Sequence, residues 1–163
     1  DIMDLIAQDL GMTVKYEQMD FDSVIPGVQA GKFDVGMSGI TITEDRQKNC
    51  DFTNPYFMAS QAIVVTPDSP ITCKADLEGK KVSVQTGTTA EEYCMDNGYE
   101  VLAFTANNDA ASALTTGKVG CGQRGGCGSG SPAGADCAGR GHDLRALRLC
   151  LRQGQRRAGA VLQ

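Results

Sequence analysis

Hydroxyl side chains and one arginine are concentrated between residues 37 and 46, where the chain reads MSGITITEDR. Arg46 is the only arginine before residue 124. A guanidinium fork with hydroxyl and backbone N–H donors beside it matches the two oxygens of a small carboxylate. We therefore predict a carboxylate site in this stretch. The same residues are equally typical of a capped surface turn whose arginine makes an ordinary ion pair.

A second candidate anion site lies at residues 86–92, which read TGTTAEE. Thr88 and Glu91 have the spacing of a reciprocal capping box, so a helix should begin at this loop. Unpaired N–H groups and partial positive charge at a helix N-terminus favour an anion or a carboxylate. A well-capped helix without a ligand is the commoner alternative.

Apolar periodicity along residues 1–119 alternates between helix and strand spacing. This alternation predicts the α/β class, with parallel or mixed sheets and flanking helices. Gly11 and Gly31 are placed to end the first two helices, and residues 20–23 supply N-cap candidates for the second. We predict helices at 2–10, around 24–28, from 89 and at 109–116, and strands at 13–16, 33–37, 61–65, 82–85 and 100–104. The strand expected after Val119 does not follow, because residues 120–126 have neither period.

Charge and composition change sharply near residue 120. Residues 1–119 contain 18 acidic and 8 basic side chains, a net charge of −10, whereas residues 120–163 contain seven arginines and two aspartates, a net charge of +5. The second segment also holds 11 of the 20 glycines. No apolar run approaches the roughly 20 residues that span a bilayer, and no basic, apolar leader opens the chain. We expect a mature or truncated fragment of a globular protein.

Several ordered motifs resemble the bacterial extracellular solute-binding proteins of the polar amino acid type, the periplasmic receptors of ABC importers. In chain order they are DIMDL at 1–5, MDFD at 19–22, IP at 25–26, GKFDV at 31–35, SGITIT at 38–43, DFTNPY at 51–56, DLEGKKV at 76–82 and QTGTTAE at 85–91. The resemblance implies a two-lobed, periplasmic-binding-protein-like α/β fold of type II that closes on its ligand by a hinge. We assign residues 1–65 to the first lobe and 66–119 to the second, both incomplete.

The resemblance also implies the ligand contacts. Arg46 would bind the α-carboxylate of an amino acid with both arms of its fork, Phe21 would pack on the ligand side chain, and Thr89 would close on the carboxylate from the second lobe. Small groups at the end of the preceding strand would assist Arg46, namely Ser38, Gly39 and Thr41. No cofactor, metal ion or catalytic residue is implied.

The implied partner is the membrane permease of an ABC transporter, and the implied location is periplasmic or extracellular, with a cell-surface lipoprotein left open. We expect a monomer. Two family features are unmatched, namely a first strand before Asp1 and a later aspartate that binds the ligand α-ammonium in the second lobe. We therefore expect this chain to fold poorly and to bind its ligand weakly or not at all.

Two other classes of function are compatible with the same fold. The first is an enzyme, either dehydratase-like or associated with lytic transglycosylases, which would need a positioned general acid or base. Residues 1–119 contain no histidine and show no paired carboxylates in a cleft position. The second is the ligand-sensing domain of a signalling receptor, which would need a transmembrane segment.

Residues 120–163 form a Gly/Arg/Cys-rich tail that does not match the family motifs. We hypothesise that this tail is a frameshifted reading of a GC-rich gene, or disordered, because most of the residue types that it lacks favour A- or T-containing codons. The rival interpretation is a Gly-rich linker followed by a basic helix over residues 144–151. Without aromatic residues or a recognised motif, that helix is not expected to bind nucleic acid.

The cysteines do not predict a metal site. Four lie in the tail at irregular spacings with no Cys-x-x-Cys pair, and the one histidine, His142, lies there too. Such a pattern is not typical of zinc ligands. Cys73 and Cys94 flank one unit of the second lobe and can be bridged only if their Cα atoms approach closely enough. Cys50 is expected to be a packed free thiol.

Overall fold

A computed structural model describes residues 2–126, 145–147, 156–158 and 161–162. Short 3₁₀ turns at Phe21–Ser23 and Lys74–Leu77 accompany the regular elements. In chain order these are α1 (Ile2–Leu10), α2 (Val24–Gln29), β1 (Val35–Gly36), α3 (Glu44–Gln47), β2 (Asp51–Phe52), β3 (Phe57–Val65), β4 (Lys81–Gln85), α4 (Thr89–Asp96), β5 (Glu100–Phe104), α5 (Asn107–Thr115), β6 (Cys121–Gly126), β7 (Arg145–Leu147), β8 (Arg156–Ala158) and β9 (Val161–Leu162).

The first helix is present where the sequence predicts it, and Gly11 follows it with a φ of +65°. Its apolar side chains are nevertheless largely exposed, and among its residues only Ala7 is buried. The strand predicted at residues 13–16 is wrong, because these residues have no strand partner among the described residues. A strand needs neighbours to satisfy its backbone groups, and local sequence pattern does not supply them.

A small antiparallel sheet has the strand order β1-β9-β2. Val35 pairs with Leu162, and Phe52 pairs with Val161. Beside this sheet, Val28 of α2 and Ile40 form a small buried cluster against which Phe21, Phe33 and other apolar side chains pack. The strand predicted over residues 33–37 is therefore shortened to two residues, both paired with the distant segment 161–162.

A larger mixed sheet has the order β5-β4-β6-β3-β7, with β8 paired to the other end of β3. Strand β4 runs parallel to β5 and β6, and β3 runs antiparallel to β6. The prediction that residues 120–126 form no strand is wrong. Glycines hide the strand period there, yet a Cβ at Gly122 would lie only 3.0 Å from Ser83 Oγ, so a glycine suits this tight position.

Two buried clusters pack against the larger sheet, one that includes Ala90 and Cys94 of α4 and one that includes Ala113 and Leu114 of α5. Val82 and Val84 of β4 are at most 1% exposed, and Ala110, Ala113 and Leu114 of α5 are buried as predicted. The hydroxyl of Ser83, also buried, donates to Ala110 O at 2.8 Å. Strand β3, which we assigned to the first lobe up to residue 65, contributes Ile63 and Val65 to the cluster that includes α4. The division of the chain at residue 65 remains a prediction.

Within residues 120–163, the structure describes β6, β7, β8 and β9. Strand β7 contradicts the alternative of a helix over residues 144–151, because Arg145–Leu147 pair with residues 63–65 in an extended conformation. His142 and the tail cysteines other than Cys121 lie outside the described residues. None of the described helices has the length and the apolar composition of a membrane span.

Candidate functional site

The predicted carboxylate site is organised by the short helix α3. Its N-cap is Thr43, whose hydroxyl oxygen accepts a hydrogen bond from the backbone N–H of Arg46 at 3.3 Å. Glu44 and Asp45 fill the first turn, where negative charge is favourable, and Arg46 occupies the last turn. The local sequence thus fixes the backbone from which Arg46 projects.

The guanidinium of Arg46 is held from several directions. Its Nη1 donates to Thr41 O at 2.8 Å, and its Nη2 donates to Gly87 O at 2.8 Å. Its Cζ lies 5.8 Å from the centre of the Phe21 ring, within the range of a cation–π contact. Arg46 therefore connects the loop before α3, the 3₁₀ turn at Phe21–Ser23 and the loop before α4.

The opposite wall is the β4–α4 loop. Thr88 is the N-cap of α4, and its hydroxyl oxygen accepts from Glu91 N at 3.3 Å, as the capping-box spacing predicts. The reciprocal bond differs from the prediction, because the Glu91 carboxylate accepts from Gly87 N at 2.7 Å rather than from Thr88 N. A carboxylate of this protein thus already occupies one donor of the predicted anion site.

Gly87 and Asp22 bring the two walls into close contact. Gly87 has a φ of +74°, and a Cβ there would lie 2.8 Å from Asp22 Cβ and 3.1 Å from Asp22 Cα. Only glycine fits this combination of backbone conformation and approach. Between the walls lies a small cleft of about 90 Å³. It is lined by Phe21, Asp22, Ile25, Ile40, Arg46 and Gly87.

The structure brings together only some of the predicted site residues. Phe21 and Arg46 line the cleft, whereas Thr41 contributes its backbone carbonyl to Arg46. Ser38 and Gly39 are exposed on the loop after β1 and do not line the cleft. Thr89, the first residue of α4, is 4% exposed and also lies outside the lining. The assignment of all six residues to a ligand remains a prediction.

Sequence reasoning missed three kinds of contact at this site. The sequence predicts Asp22 as an N-cap candidate and Ile25 as part of the second helix, with no ligand contact for either, although both line the cleft with Phe21. Gly87 lies within the predicted anion site at residues 86–92, but the sequence does not predict its close approach to Asp22 or its bond to Arg46. Gln61 opens the strand predicted at residues 61–65, and the sequence does not predict that its Nε2 donates to Thr89 Oγ1 at 2.8 Å. The adjacency of Asp22 to Phe21 was the one available signal for these contacts.

Neither a cluster of metal ligands nor a Cys73–Cys94 bridge occurs among the described residues. No group of three or more potential metal ligands occurs among them. Cys73 is an exposed free thiol, so the bridge to Cys94 that the sequence left open is absent. Cys50 is a half-buried free thiol, as predicted, and donates to Arg46 O at 3.4 Å. Burial and the charge of Asp51 raise the pKa of the Cys50 thiol, which stays protonated at neutral pH.

Comparisons with known proteins bear on the family. The family model of bacterial extracellular solute-binding proteins, family 3, matches residues 1–157, beyond residue 119 where the resemblance in the sequence ends. An L-arginine-binding protein of Pseudomonas aeruginosa is 31% identical over 124 residues, which cover 73% of this chain and 48% of the relative. A probable histidine-binding protein of Campylobacter jejuni is 35% identical over 92 residues, which cover 56% of this chain and 36% of the relative.

A solved structure shows the same fold. An ancestral arginine-binding protein bound to arginine matches with a TM-score of 0.78 and 32% identity, covering 99% of this chain and 73% of that chain. The predicted two-lobed α/β fold is thereby confirmed. These relatives are named for binding amino acids and not for catalysis. The chain spans about half the length of the first curated relative. It belongs to the bacterial extracellular solute-binding proteins, family 3.

Proposed function

We propose that this chain is the substrate-binding component of an ABC importer for polar amino acids, and that Arg46 binds the ligand α-carboxylate. One observation carries the proposal, namely the Arg46 guanidinium in the cleft, with Nη1 anchored on Thr41 O and Nη2 directed across to Gly87 O. A ligand carboxylate can replace the Gly87 carbonyl as the acceptor of Nη2. Charge-assisted bonds to a carboxylate are stronger than bonds to a neutral carbonyl.

The rest of the cleft supports a zwitterionic ligand. Asp22 lines the cleft together with Arg46, so the two groups offer opposite charges to a carboxylate and an ammonium. We assign Asp22 to the ligand α-ammonium, the group for which no second-lobe aspartate could be matched. Phe21 and Ile25 supply apolar surface for the side chain. Arginine and histidine are the first ligands to test, because the relatives described above are named for them.

Binding requires the cleft to open. Its volume of about 90 Å³ is well below the ~300–1,000 Å³ of typical small-molecule pockets. The two walls must separate, admit the amino acid and close on it, as hinged domains do. Thr41, Ser38, Gly39 and Thr89 would then complete the carboxylate site. We expect millimolar and not micromolar affinity, because opening the cleft and breaking the bond from Arg46 to Gly87 both cost free energy before the ligand is bound.

The partner in this proposal is the membrane permease of the importer, and the location is the periplasm or the cell exterior. The binding protein acts as a monomer that reports ligand by adopting a closed form. A permease that binds the closed form more tightly reads this change as a shift in population. A permease that binds both forms equally well would contradict the proposal.

Arg46→Lys tests the proposal directly. Lysine keeps the charge but loses the planar fork, so we expect affinity for arginine or histidine to fall about tenfold or more. Lys48→Gln is the matched control, since it removes an exposed charge next to the same helix, and we expect less than about twofold change. NMR titration of the full chain measures affinities from micromolar to millimolar. Unchanged affinity in Arg46→Lys, or no amino acid bound by the wild type, would overturn the proposal.

A further inference from the structure

Gln61 links the larger sheet to the first turn of α4. It lies in β3, opposite Gly125 of β6, and its side-chain Nε2 donates to Thr89 Oγ1 at 2.8 Å. Strand β6 separates β3 from β4, the strand that leads into α4. Gly125 has no side chain that could compete for this face of the sheet. The Gln61 amide therefore reaches from one strand to a helix that follows a strand two places away.

The direction of this hydrogen bond determines what Thr89 can do. A threonine hydroxyl has one proton to donate and two lone pairs that accept. Because Gln61 donates to Thr89 Oγ1, one lone pair is occupied and the hydroxyl proton is left to be donated elsewhere. A carboxylate, which only accepts hydrogen bonds, is a suitable partner for that proton.

The same glutamine carries a feature that stability does not explain. Its Oε1 is buried and has no hydrogen-bond partner among the described residues. A buried acceptor without a partner is unfavourable, and an apolar side chain of similar size would avoid the penalty. Packing alone would thus favour leucine or methionine at position 61, so the amide is better explained by its bond to Thr89.

Thr89 is close to the groups that form the cleft. It follows Gly87 by two residues, and the carbonyl of Gly87 accepts from Arg46 Nη2 at 2.8 Å. A carboxylate that takes the place of this carbonyl on Arg46 comes next to the first turn of α4. Thr89 is only 4% exposed, so its hydroxyl has little freedom to turn toward water.

We propose that Gln61 is a positioning residue that fixes the Thr89 hydroxyl so that its proton is donated to the ligand carboxylate. This inference rests on the proposed function, because it needs a carboxylate on Arg46. Gln61 acts through Thr89 and does not itself contact the carboxylate. Its effect should therefore depend on the carboxylate of the ligand and not on the ligand side chain.

The test compares two ligands across two glutamine variants. Arginine carries a carboxylate, and argininamide carries a neutral carboxamide in its place. In NMR titrations of the full chain, we expect Gln61→Leu to weaken arginine about fivefold, the effect of one ordinary hydrogen bond, and to weaken argininamide less, because a neutral carboxamide oxygen accepts a weaker hydrogen bond than a carboxylate. Gln85→Leu is the matched control, since Gln85 lies in the same sheet and its Nε2 donates to Thr105 O at 2.9 Å. That variant should bind both ligands like the wild type.

A double-mutant comparison separates positioning from general stability. Once Thr89→Val has removed the hydroxyl, adding Gln61→Leu should cause no further loss of arginine affinity. If Gln61→Leu does not fold, Gln61→Met, which keeps the side-chain length, takes its place. Failure of both variants to fold would show a structural role and overturn the inference.

The remaining outcomes distinguish the inference from the proposed function. A wild-type chain that binds no amino acid overturns both. If the wild type binds arginine and Arg46→Lys weakens it, but Gln61→Leu has no effect or weakens argininamide equally, only the role of Gln61 is overturned.

Discussion

Among the described residues, the main buried cluster against the larger sheet has nine members. The cluster beside the smaller sheet has only two buried members, Val28 and Ile40. Helix α1 adds little to the smaller region, because Leu5 and Leu10 are 65% and 67% exposed. Burial of apolar surface is the dominant favourable term in folding. The described residues therefore contain one well-packed unit and one sparsely packed unit, with the cleft between them.

This difference in packing affects how the cleft around Arg46 can open. The sparsely packed side contributes Arg46, Phe21 and Asp22 to the lining of the cleft. The well-packed side contributes Gly87, which lies just before α4. A rigid wall and a more easily displaced wall suit a site that must open and close. Regions with fewer buried apolar contacts open at lower free energy than the core does.

The largest expected effect on the free energy of unfolding comes from truncating a buried side chain in each of the two cores. Leu77→Ala should lower the free energy of unfolding by about 2–5 kcal/mol, because Leu77 is 1% exposed within the large cluster. Ile40→Ala is equally buried but should cost no more than about 2 kcal/mol, since half-buried neighbours can move into the space. Urea denaturation measures both values. Equal losses would show that the two regions are packed alike.

The second prediction concerns the contact between the two regions. Gly87→Ala should cost about 2–4 kcal/mol, from its left-handed backbone and from the overlap with Asp22. Gly98→Ala is the control, because Gly98 has a φ of +71° but nothing within 4 Å of the added Cβ, so only about 1–2 kcal/mol is expected. Thermal or urea unfolding of both variants isolates the contribution of the contact. A difference near zero would mean that the walls separate freely.

The better-packed region was also the one that the sequence predicted better. Strands β4 and β5 and helix α5 carry local periods that persist in the structure. Strands β1 and β2 have two residues each, and both pair with residues 161–162. No local pattern near residues 35 or 52 encodes this distant pairing. Strand β6 was not predicted for a different reason, since its glycines have no side chains and contribute nothing to a hydrophobic period.

The same distinction between local and distant contacts applies to the candidate site. Arg46 and Phe21 were predicted because their motifs are local and carry distinctive side chains. The contacts from Arg46 to Gly87 and from Gln61 to Thr89 join residues 41 and 28 positions apart, so only the folded chain reveals them. Thr88 and Glu91 show the intermediate case, in which the cap was predicted and the exact N–H bonded by Glu91 was not.

The smallest predicted effect is an acid dependence that belongs to the well-packed region. The Asp76 carboxylate accepts from Thr72 N at 2.8 Å and from Cys73 N at 3.0 Å. These bonds lower the pKa of Asp76 from 3.8 to about 2. Because the folded-state pKa lies below the unfolded one, the contribution is fully present above about pH 4 and is lost as the pH falls toward 2.

Asp76→Asn should therefore be less stable than the wild type at neutral pH, and the difference should shrink between pH 4 and pH 2. Asp45→Asn is the counterpart in the sparsely packed region. Lys48 lowers the pKa of Asp45 by a hydrogen bond and by its charge, but both side chains of this pair are more than 70% exposed. Water and salt screen such a pair, so we expect almost no change in stability at either pH. Urea denaturation at pH 7, 4 and 2 measures both variants, and a larger effect of Asp45→Asn would reverse the assignment of acid sensitivity to the larger sheet.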